Sequence, residues 1–357
     1  MAEPVGEDRV VVVGAGISGL SAARALTAAG RSVVVLERAK GVGGRCATRR
    51  IEGGQPVDFG VTFLHGTDPD FLAALADVPG GALVDWPSQI RGSGRPCQPE
   101  AFSRPQRRVA FADGVAAFPR HLARGLDVRT ERRVTGLEIT GATITPAIDG
   151  AAPIVARTVI LALAAEQSRA LLAGVGARTP GLDTAAALLA MMPTRPCLTV
   201  IAAYPAGVPG PPFHLRYPED SSILQVIAHD SSKRVNPAAT VMVYQAHARW
   251  SREHLERPSA GASAAASAPW ARALLDEAAR LLGPWAGAPS SLQAHRWTHA
   301  RADGGAGLNA PILLHFPGDP GPRLGLAGEL FSPGGGVESA WMSGVRLARM
   351  ILAEDKR

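Results

Sequence analysis

Three features near the N-terminus predict an α/β fold that begins with a Rossmann-like domain: the run RVVVV at 9–13, a glycine-rich turn at 14–19, and a second run, SVVVLE at 32–37, closed by an acid. The unbroken β-branched stretch suits a parallel strand covered on both faces. SGLSAARALTAA at 18–29 sets Leu20, Ala23 and Leu26 at helical spacing, and Gly30 stops the helix. A chain of 357 residues, 46% of them hydrophobic, exceeds what one compact core holds, so a second domain of mixed sheet and helix is expected.

The turn reads Gly14-Ala15-Gly16-Ile17-Ser18-Gly19, which is G-x-G-x-x-G between a strand and a helix. The first glycine permits the tight turn, the second lets backbone approach a diphosphate, and the third lets helix and strand pack closely. The helix N-terminus offers free N–H groups and partial positive charge to phosphate. Glu37 stands 18 positions beyond Gly19, where a carboxylate accepts from ribose hydroxyls. Together these predict a dinucleotide site.

Further along, VRTERRVTGLEITGATITPAI at 128–148 alternates as a hairpin around Gly141, and RTVILALA at 157–164 reads as a buried strand returning to the first sheet. From Pro193 onward, the strands CLTVIAAY and ATVMVYQA and a helix over 269–283 form the second domain. The stretch RPSAGASAAASAP at 257–269 is low-complexity and reads as a solvated loop. RLGLAGELF, then SPGGG, then VESAWMSGVRLARMILAED predict a strand, a glycine turn and an amphipathic C-terminal helix rejoining the first domain.

The net charge of +6 does not point to nucleic acid, because apart from Lys40, Lys233 and Lys356 the basic residues are arginines scattered without a long run. Cys46, Cys97 and Cys197 lie too far apart for a CxxC or zinc spacing, and His295 with His299 lacks a third ligand nearby, so no metal is expected. Glu3, Glu7 and Asp8 stand where a secretion signal needs positive charge, and no segment reaches membrane-spanning length. A soluble, cytoplasmic protein without a membrane partner is expected, and nothing in the sequence marks an oligomeric state.

Beyond Glu37, Gly43-Gly44-Arg45 completes an E-x(5)-GGR pattern that resembles the second fingerprint of amine oxidase-like flavoproteins, which makes FAD the expected dinucleotide. Several segments in order resemble the renalase family of FAD-dependent oxidoreductases: GVGGRCATRR (41–50), RVAFADGVAAFPRHLA (108–123), IAHDSSKRVNP (227–237), MVYQAHARWSREHLE (242–256), HRWTHARA (295–302) and GGGVESAWMSG (334–344). DSSK and WSxxHLE are the most particular to it. After Asp58, however, the chain carries Phe59-Gly60-Val61-Thr62-Phe63-Leu64-His65-Gly66, closer to the LHG pattern of polyamine oxidases.

The resemblance implies a glutathione reductase-type, amine oxidase-like FAD-binding domain over 1–76, 104–192 and 290–357, with a substrate domain over 77–103 and 193–289. It implies non-covalent FAD, since no Cys or His occupies the C-terminal glycine turn. The implied cofactor contacts are Gly14, Gly16, Ser18, Gly19, Glu37, Arg38, Gly43, Gly44, Arg45, Gly60, Val61, Thr62, Val134, Gly328, Glu329, Val337 and Glu338. Glu329 replaces the usual Asp, and the helix beginning near Val337 would stabilise negative charge on the flavin's N1/O2 edge.

The implied reaction is oxidation of 2- or 6-dihydro isomers of NAD(P) to NAD(P)+, with a small-molecule substrate giving hydride to flavin N5 and O2 released as H2O2. The alternatives are amine or polyamine oxidation and flavin binding without turnover. His299, two beyond Trp297, either lines the site or is a half-buried strand histidine; His65 either contacts flavin or substrate or belongs to the core. Lys233, among Asp230, Ser231, Ser232 and Arg234, reads as solvent-exposed or as an anchor of the substrate domain.

Overall fold

A computed structural model describes residues 9–92, 102, 106–255, 267–302 and 307–356. Cys97 and the low-complexity stretch at 257–266 lie outside the described residues. The chain divides into two compact units, one of Met1–Gly44, Phe118–Thr194 and Ala302–Arg357, the other of Arg45–Ala117 and Arg195–Arg301.

The first unit is built on a six-stranded sheet in the order Ile312–His315, Arg323–Leu326, Thr158–Leu161, Val10–Val13, Val33–Leu36, Asp127–Arg129. All neighbours are parallel except the first pair. Val10 lies level with Val33 and Thr158, and Thr158 with Arg323, so four strands end together at Val13, Leu36, Leu161 and Leu326. Gly14, Glu37 and Gly328 therefore follow on one edge of the sheet, the carboxyl edge at which doubly wound folds bind ligands. The expected hairpin forms from Val134–Thr140 and Thr143–Ile148, and helices Ala165–Ala173 and Pro180–Ala190 help to close the core.

The first helix, Ile17–Ala28, and the C-terminal helix, Gly336–Glu354, pack at closest range through small residues. A Cβ on Gly344 would stand 2.1 Å from the Ser18 carbonyl oxygen, and Ser21 Oγ donates to the Trp341 carbonyl at 3.0 Å.

The second unit contains a six-stranded sheet in the order Ser291–Ala302, Thr194–Ala203, Val241–Ala246, Leu224–His229, Leu215–Arg216, Ile90–Arg91. Its strands alternate faces with period two. Leu198, Val200, Ala202, Met242 and Tyr244 pack with Trp270, Leu274 and Ala278 of the helix Pro269–Leu282, while Ile201, Ala203, Val241 and Val243 pack with Phe59, Phe63 and Trp86.

Residues 45–76, 106–117 and 290–301 belong to this unit, whereas the sequence suggested the first. The reason lies in their pairing. Thr48–Arg50 joins Pro56–Asp58, Leu64–Gly66 and Ala82–Val84 flank Arg107–Phe111, and Ser291–Ala302 forms an edge of the six-stranded sheet.

Candidate functional site

In the first unit the glycine turn has the shape its spacing predicts. Gly14 has φ +105°, and a Cβ there would meet the Ala162 carbonyl oxygen at 2.6 Å; a Cβ on Gly19 would meet the Gly14 carbonyl oxygen at 2.0 Å. Gly16 differs, since a Cβ there meets no atom within 4 Å. Glycine at 14 and 19 is thus required by the fold, and at 16 by whatever approaches the open side. Gly16 also caps the first helix without any side-chain hydrogen bond, which leaves its first-turn N–H groups available to an anion.

Gly43 N donates to the Ala15 carbonyl at 2.8 Å, and a Cβ on Gly44 would have only Gly16 Cα near it, at 3.7 Å. Both glycines of the second fingerprint therefore lie against the first. Ser18 is buried in the first helical turn, and Arg38 is exposed just past Glu37.

The Glu37 carboxylate accepts from Ala15 N at 2.9 Å through Oε2 and from Ala39 N at 2.8 Å through Oε1. A carboxylate has about four lone-pair positions, so acceptor capacity remains for two hydroxyls. The bare cradle at Gly16 and Gly44, the uncapped helix and this carboxylate fit the diphosphate and ribose of a dinucleotide. Glu37→Ala is expected to weaken FAD binding by roughly 1.5–3 kcal/mol, about tenfold to a hundredfold, measured by titrating the apoprotein with FAD. Unchanged affinity would move the ribose elsewhere.

The C-terminal motif lies in the same unit. Gly334, Gly335 and Gly336 have φ +88°, +66° and +81°, and Cβ atoms on Gly335 and Gly336 would meet nothing within 4 Å. Gly335 caps the long C-terminal helix, again without a side-chain hydrogen bond, so Val337 and Glu338 sit half-buried in its first turn. Gly328 N donates to Ser343 Oγ at 3.0 Å, and the buried Glu329 carboxylate accepts from Ala302 N at 2.9 Å, which ties it to the backbone. Val134 is half-buried at the start of the hairpin.

In the second unit, Gly60, Val61 and Thr62 run past Arg45 and Trp297. A Cβ on Gly60 would stand 2.3 Å from the Arg45 carbonyl oxygen, and Val61 N donates to that oxygen at 3.0 Å. Arg45 Nη1 donates to the Ala300 carbonyl at 3.2 Å. Phe59 stacks on Trp297 with ring centroids 5.2 Å apart, meets the His295 edge at 5.0 Å and carries the Arg49 guanidinium 4.6 Å above its ring. His299 is half-buried and lies on the strand face of His295 and Trp297 by alternation. His65, also half-buried, bonds through Nδ1 to Gln106 Oε1 at 3.0 Å.

Burial, with the Arg49 charge, pushes the His295 imidazole down to about 4. A histidine whose folded pKa lies below its unfolded value takes up fewer protons when folded, so it removes stability as pH falls from about 6.5 toward about 4. His295→Gln is expected to flatten the stability loss between pH values of about 7 and 5 in urea titrations; an unchanged slope would contradict the assignment.

Of the two readings for Lys233, the structure excludes solvent exposure and agrees with an anchoring role within the second unit. Lys233 is 2% exposed, donating from Nζ to Asp58 Oδ2 at 2.6 Å and to the Thr62 carbonyl at 3.0 Å, and pairing with Asp230 Oδ1 at 2.6 Å. Its partner Asp58, which the sequence reading passed over, also accepts from Thr48 Oγ1 and Val115 N at 2.6 and 2.9 Å. Burial alone would raise the Asp58 carboxyl, but Lys233 and Arg234 outweigh it and hold the group below the ordinary carboxylate range. The Asp113-Gly114 turn gave a faint signal: Gly114 has φ +90°, and a Cβ there would collide with Thr48 and Asp58.

The sheet edge and its glycine cradles define a dinucleotide-binding fold. Residues 12–78 match the family described as NAD(P)-binding Rossmann-like domain, and residues 81–352 match flavin containing amine oxidoreductase. The chain belongs to the flavin-containing amine oxidoreductase family, so FAD is its cofactor and oxidation–reduction its reaction class.

Among curated relatives, lysine-specific histone demethylase 1 homolog 3 of Oryza sativa is 41% identical over 104 residues, which is 28% of this chain and 13% of that protein. The 15-cis-phytoene desaturase of Synechococcus elongatus is 31% identical over 96 residues, 27% of this chain and 20% of that one. Each match thus spans a small part of the relative. Solved structures match at full length: a putrescine oxidase triple mutant (TM-score 0.69, 16% identity, 97% of this chain and 99% of that one) and the cyclohexylamine oxidase of Brevibacterium oxydans (TM-score 0.61, 18% identity, 98% and 100%). At these identities they establish the shared fold. Among the described residues no helix is long and apolar enough to cross a membrane.

Proposed function

We propose that the protein is a renalase-like oxidase of 2- and 6-dihydro isomers of NAD(P). Bound FAD supplies the hydride acceptor and the route by which O2 takes up the electrons. The balance is one dihydro isomer, one O2 and one proton giving NAD(P)+ and H2O2.

The observation that carries this reading is the charge and shape around Gly60. On the side of Phe59 and Trp297, the strands Thr48–Arg50 and Ser291–Ala302 carry the cations Arg49 and Arg301 with His295 and His299, and neither strand has a carboxylate, beside the flat surface of Phe59, Trp297 and His295. A dinucleotide brings phosphates and a flat ring to such a surface, whereas a diamine brings cations that it repels. Tyr204, Tyr217 and Tyr244 are all buried, the first and last bonded to each other at 2.7 Å, so none of them offers an aromatic cage for an amine.

Loss of hydride turns the dihydropyridine into an aromatic cation, and this chain's residues need only hold and orient it. His299 is proposed to orient the nicotinamide carboxamide. His65, with Nδ1 engaged by Gln106, is proposed as a second polar contact. His299→Ala is expected to lower kcat/KM by roughly tenfold to a hundredfold, the size of one polar contact, with FAD content unchanged. Equal loss of FAD would make His299 structural.

Amine oxidation is the second reading, favoured by the family and by the LHG segment, which forms the strand Leu64–Gly66. The two separate in a product assay. Equimolar NAD+ and H2O2 from 6-dihydroNAD, with no H2O2 from putrescine or spermidine, is the expected result. H2O2 from the amines with none from the isomer would replace the proposal.

A further inference from the structure

The amino edge of the first unit's sheet, opposite the edge that carries the glycine cradles, gathers arginines. Val10, Thr158 and Arg323 lie level, so Arg9, Arg157 and Arg323 open three neighbouring strands, and Arg31 stands two positions before Val33 in the next. The strands are four residues long, which at about 3.3 Å per residue sets the two edges roughly 10–13 Å apart.

A pocket of about 400 Å³ opens at this amino edge. It is lined by Arg31, Arg157, His315, Arg323, Glu354 and Asp355, together with Pro320 and Gly321 of the turn before Arg323. All of these residues belong to the first unit, so the pocket is complete within it.

Most of the charge is matched. Arg31 pairs with Asp355 at 3.2 Å, Arg323 with Asp355 at 2.8 Å and with Glu354 at 3.5 Å, and His315 with Glu354 at 3.3 Å. Arg323 is 5% exposed and donates from Nε to Thr158 Oγ1 at 3.2 Å, which holds its guanidinium in place. Arg157 is the exception. Among the described residues its guanidinium has no carboxylate partner, and its buried Nε has no acceptor.

Three guanidinium groups therefore share two carboxylates, an excess of one positive charge in a single pocket. A buried donor without an acceptor is destabilising, and an anion would supply both the acceptor and the missing charge. Arginine's planar fork matches two oxygens of a phosphate, and the volume falls in the range of small-molecule sites, about 300–1,000 Å³, with room beyond one phosphate group.

We propose that this pocket is a second anion site, which takes the phosphate group of a small phosphorylated molecule, with Arg157 as its unshared donor and Arg323 and His315 beside it. The glycine cradles lie on the opposite edge, so the pocket is no part of the dinucleotide site. Glu354 and Asp355 compete with the ligand for the same cations, and substitutions of the two signs have opposite effects.

The test uses holoprotein saturated with FAD, so that phosphate cannot enter the cofactor site. Inorganic phosphate, pyrophosphate and AMP are titrated calorimetrically into wild type, Arg157→Gln and Glu354→Gln at matched ionic strength, with chloride as control. One ligand per chain is expected. Arg157→Gln should weaken it tenfold or more, the effect of one charge-assisted contact, and Glu354→Gln should tighten it about twofold to fivefold. FAD content and the visible spectrum should stay as in wild type, and the tightest of the three names the source as free phosphate, diphosphate or ester. No binding beyond the chloride control, or binding that survives Arg157→Gln unchanged, would overturn the proposal and leave an ion-pair cluster that only ties the C-terminal helix to the sheet. If Arg157→Gln does not fold, Glu354→Gln decides, because binding unchanged or weakened in that variant equally overturns it.

Discussion

Gly19→Ala yields a chain that neither holds FAD nor reaches wild-type stability. The new methyl would stand 2.0 Å from the Gly14 carbonyl oxygen and 3.1 Å from Ala162 Cβ, and the first of these is backbone with no flexible end to yield. Helix and strand must separate, at or beyond the roughly 1–3 kcal/mol of ordinary overpacking. That movement carries the helix N-terminus away from the turn that frames the phosphates. Gly16→Ala is the contrast, because its methyl enters open space and Gly16 already has φ −75°. Its apoprotein should unfold with wild-type stability, yet FAD affinity should fall by a hundredfold or more, roughly 3 kcal/mol, as the methyl takes the place of the diphosphate. Thermal unfolding of both apoproteins and FAD titration of each check the pair. Full FAD affinity in Gly16→Ala would mean that no phosphate approaches there.

Asp58→Ala should be the most destabilising single change in the second unit. It strips the shared acceptor from Lys233 and Arg234 and removes the acceptor for Thr48 Oγ1 and Val115 N, leaving two cations buried against one carboxylate. Breaking a buried pair in this way costs about 3–5 kcal/mol. Because the folded carboxyl titrates below its ordinary value, its contribution is fully present above about pH 4 and is lost as pH falls below that. Urea unfolding at neutral pH should show the loss, and the variant should lack this part of the wild-type acid sensitivity. A loss under about 1 kcal/mol would show that water reaches the group.

The parts legible in the sequence are those whose signals are local. The strand Val10–Val13, the turn, the helix and Glu37 lie within a few turns of chain, and each step has a residue type that only that geometry demands. The hairpin around Gly141 and the helix Pro269–Leu282 announce themselves by period. For Lys233 the sequence leaves exposure and anchoring both open, because its neighbours in sequence are polar while two of its partners, Asp58 and Thr62, lie 175 and 171 positions away. Periodicity likewise marks a strand without saying which sheet it joins. Short strands such as Thr48–Arg50 and Leu64–Gly66 carry too little period to read, and their pairing places them in the second unit. The depressed pKa of His295 has the same origin, since Phe59 and Arg49 reach it only in the folded chain.

The most direct test of the proposed function is anaerobic flavin reduction followed at the visible flavin band across pH. Mixed with 6-dihydroNAD, the oxidised flavin should bleach within one turnover, at a rate nearly independent of pH between about 7 and 9, because hydride loss requires no prior deprotonation. Ordinary 4-dihydroNAD should reduce it slowly. Reduction by spermine or putrescine alone, at a rate that climbs with pH toward the amine's ionisation near about 10, would contradict the account and make the protein an amine oxidase.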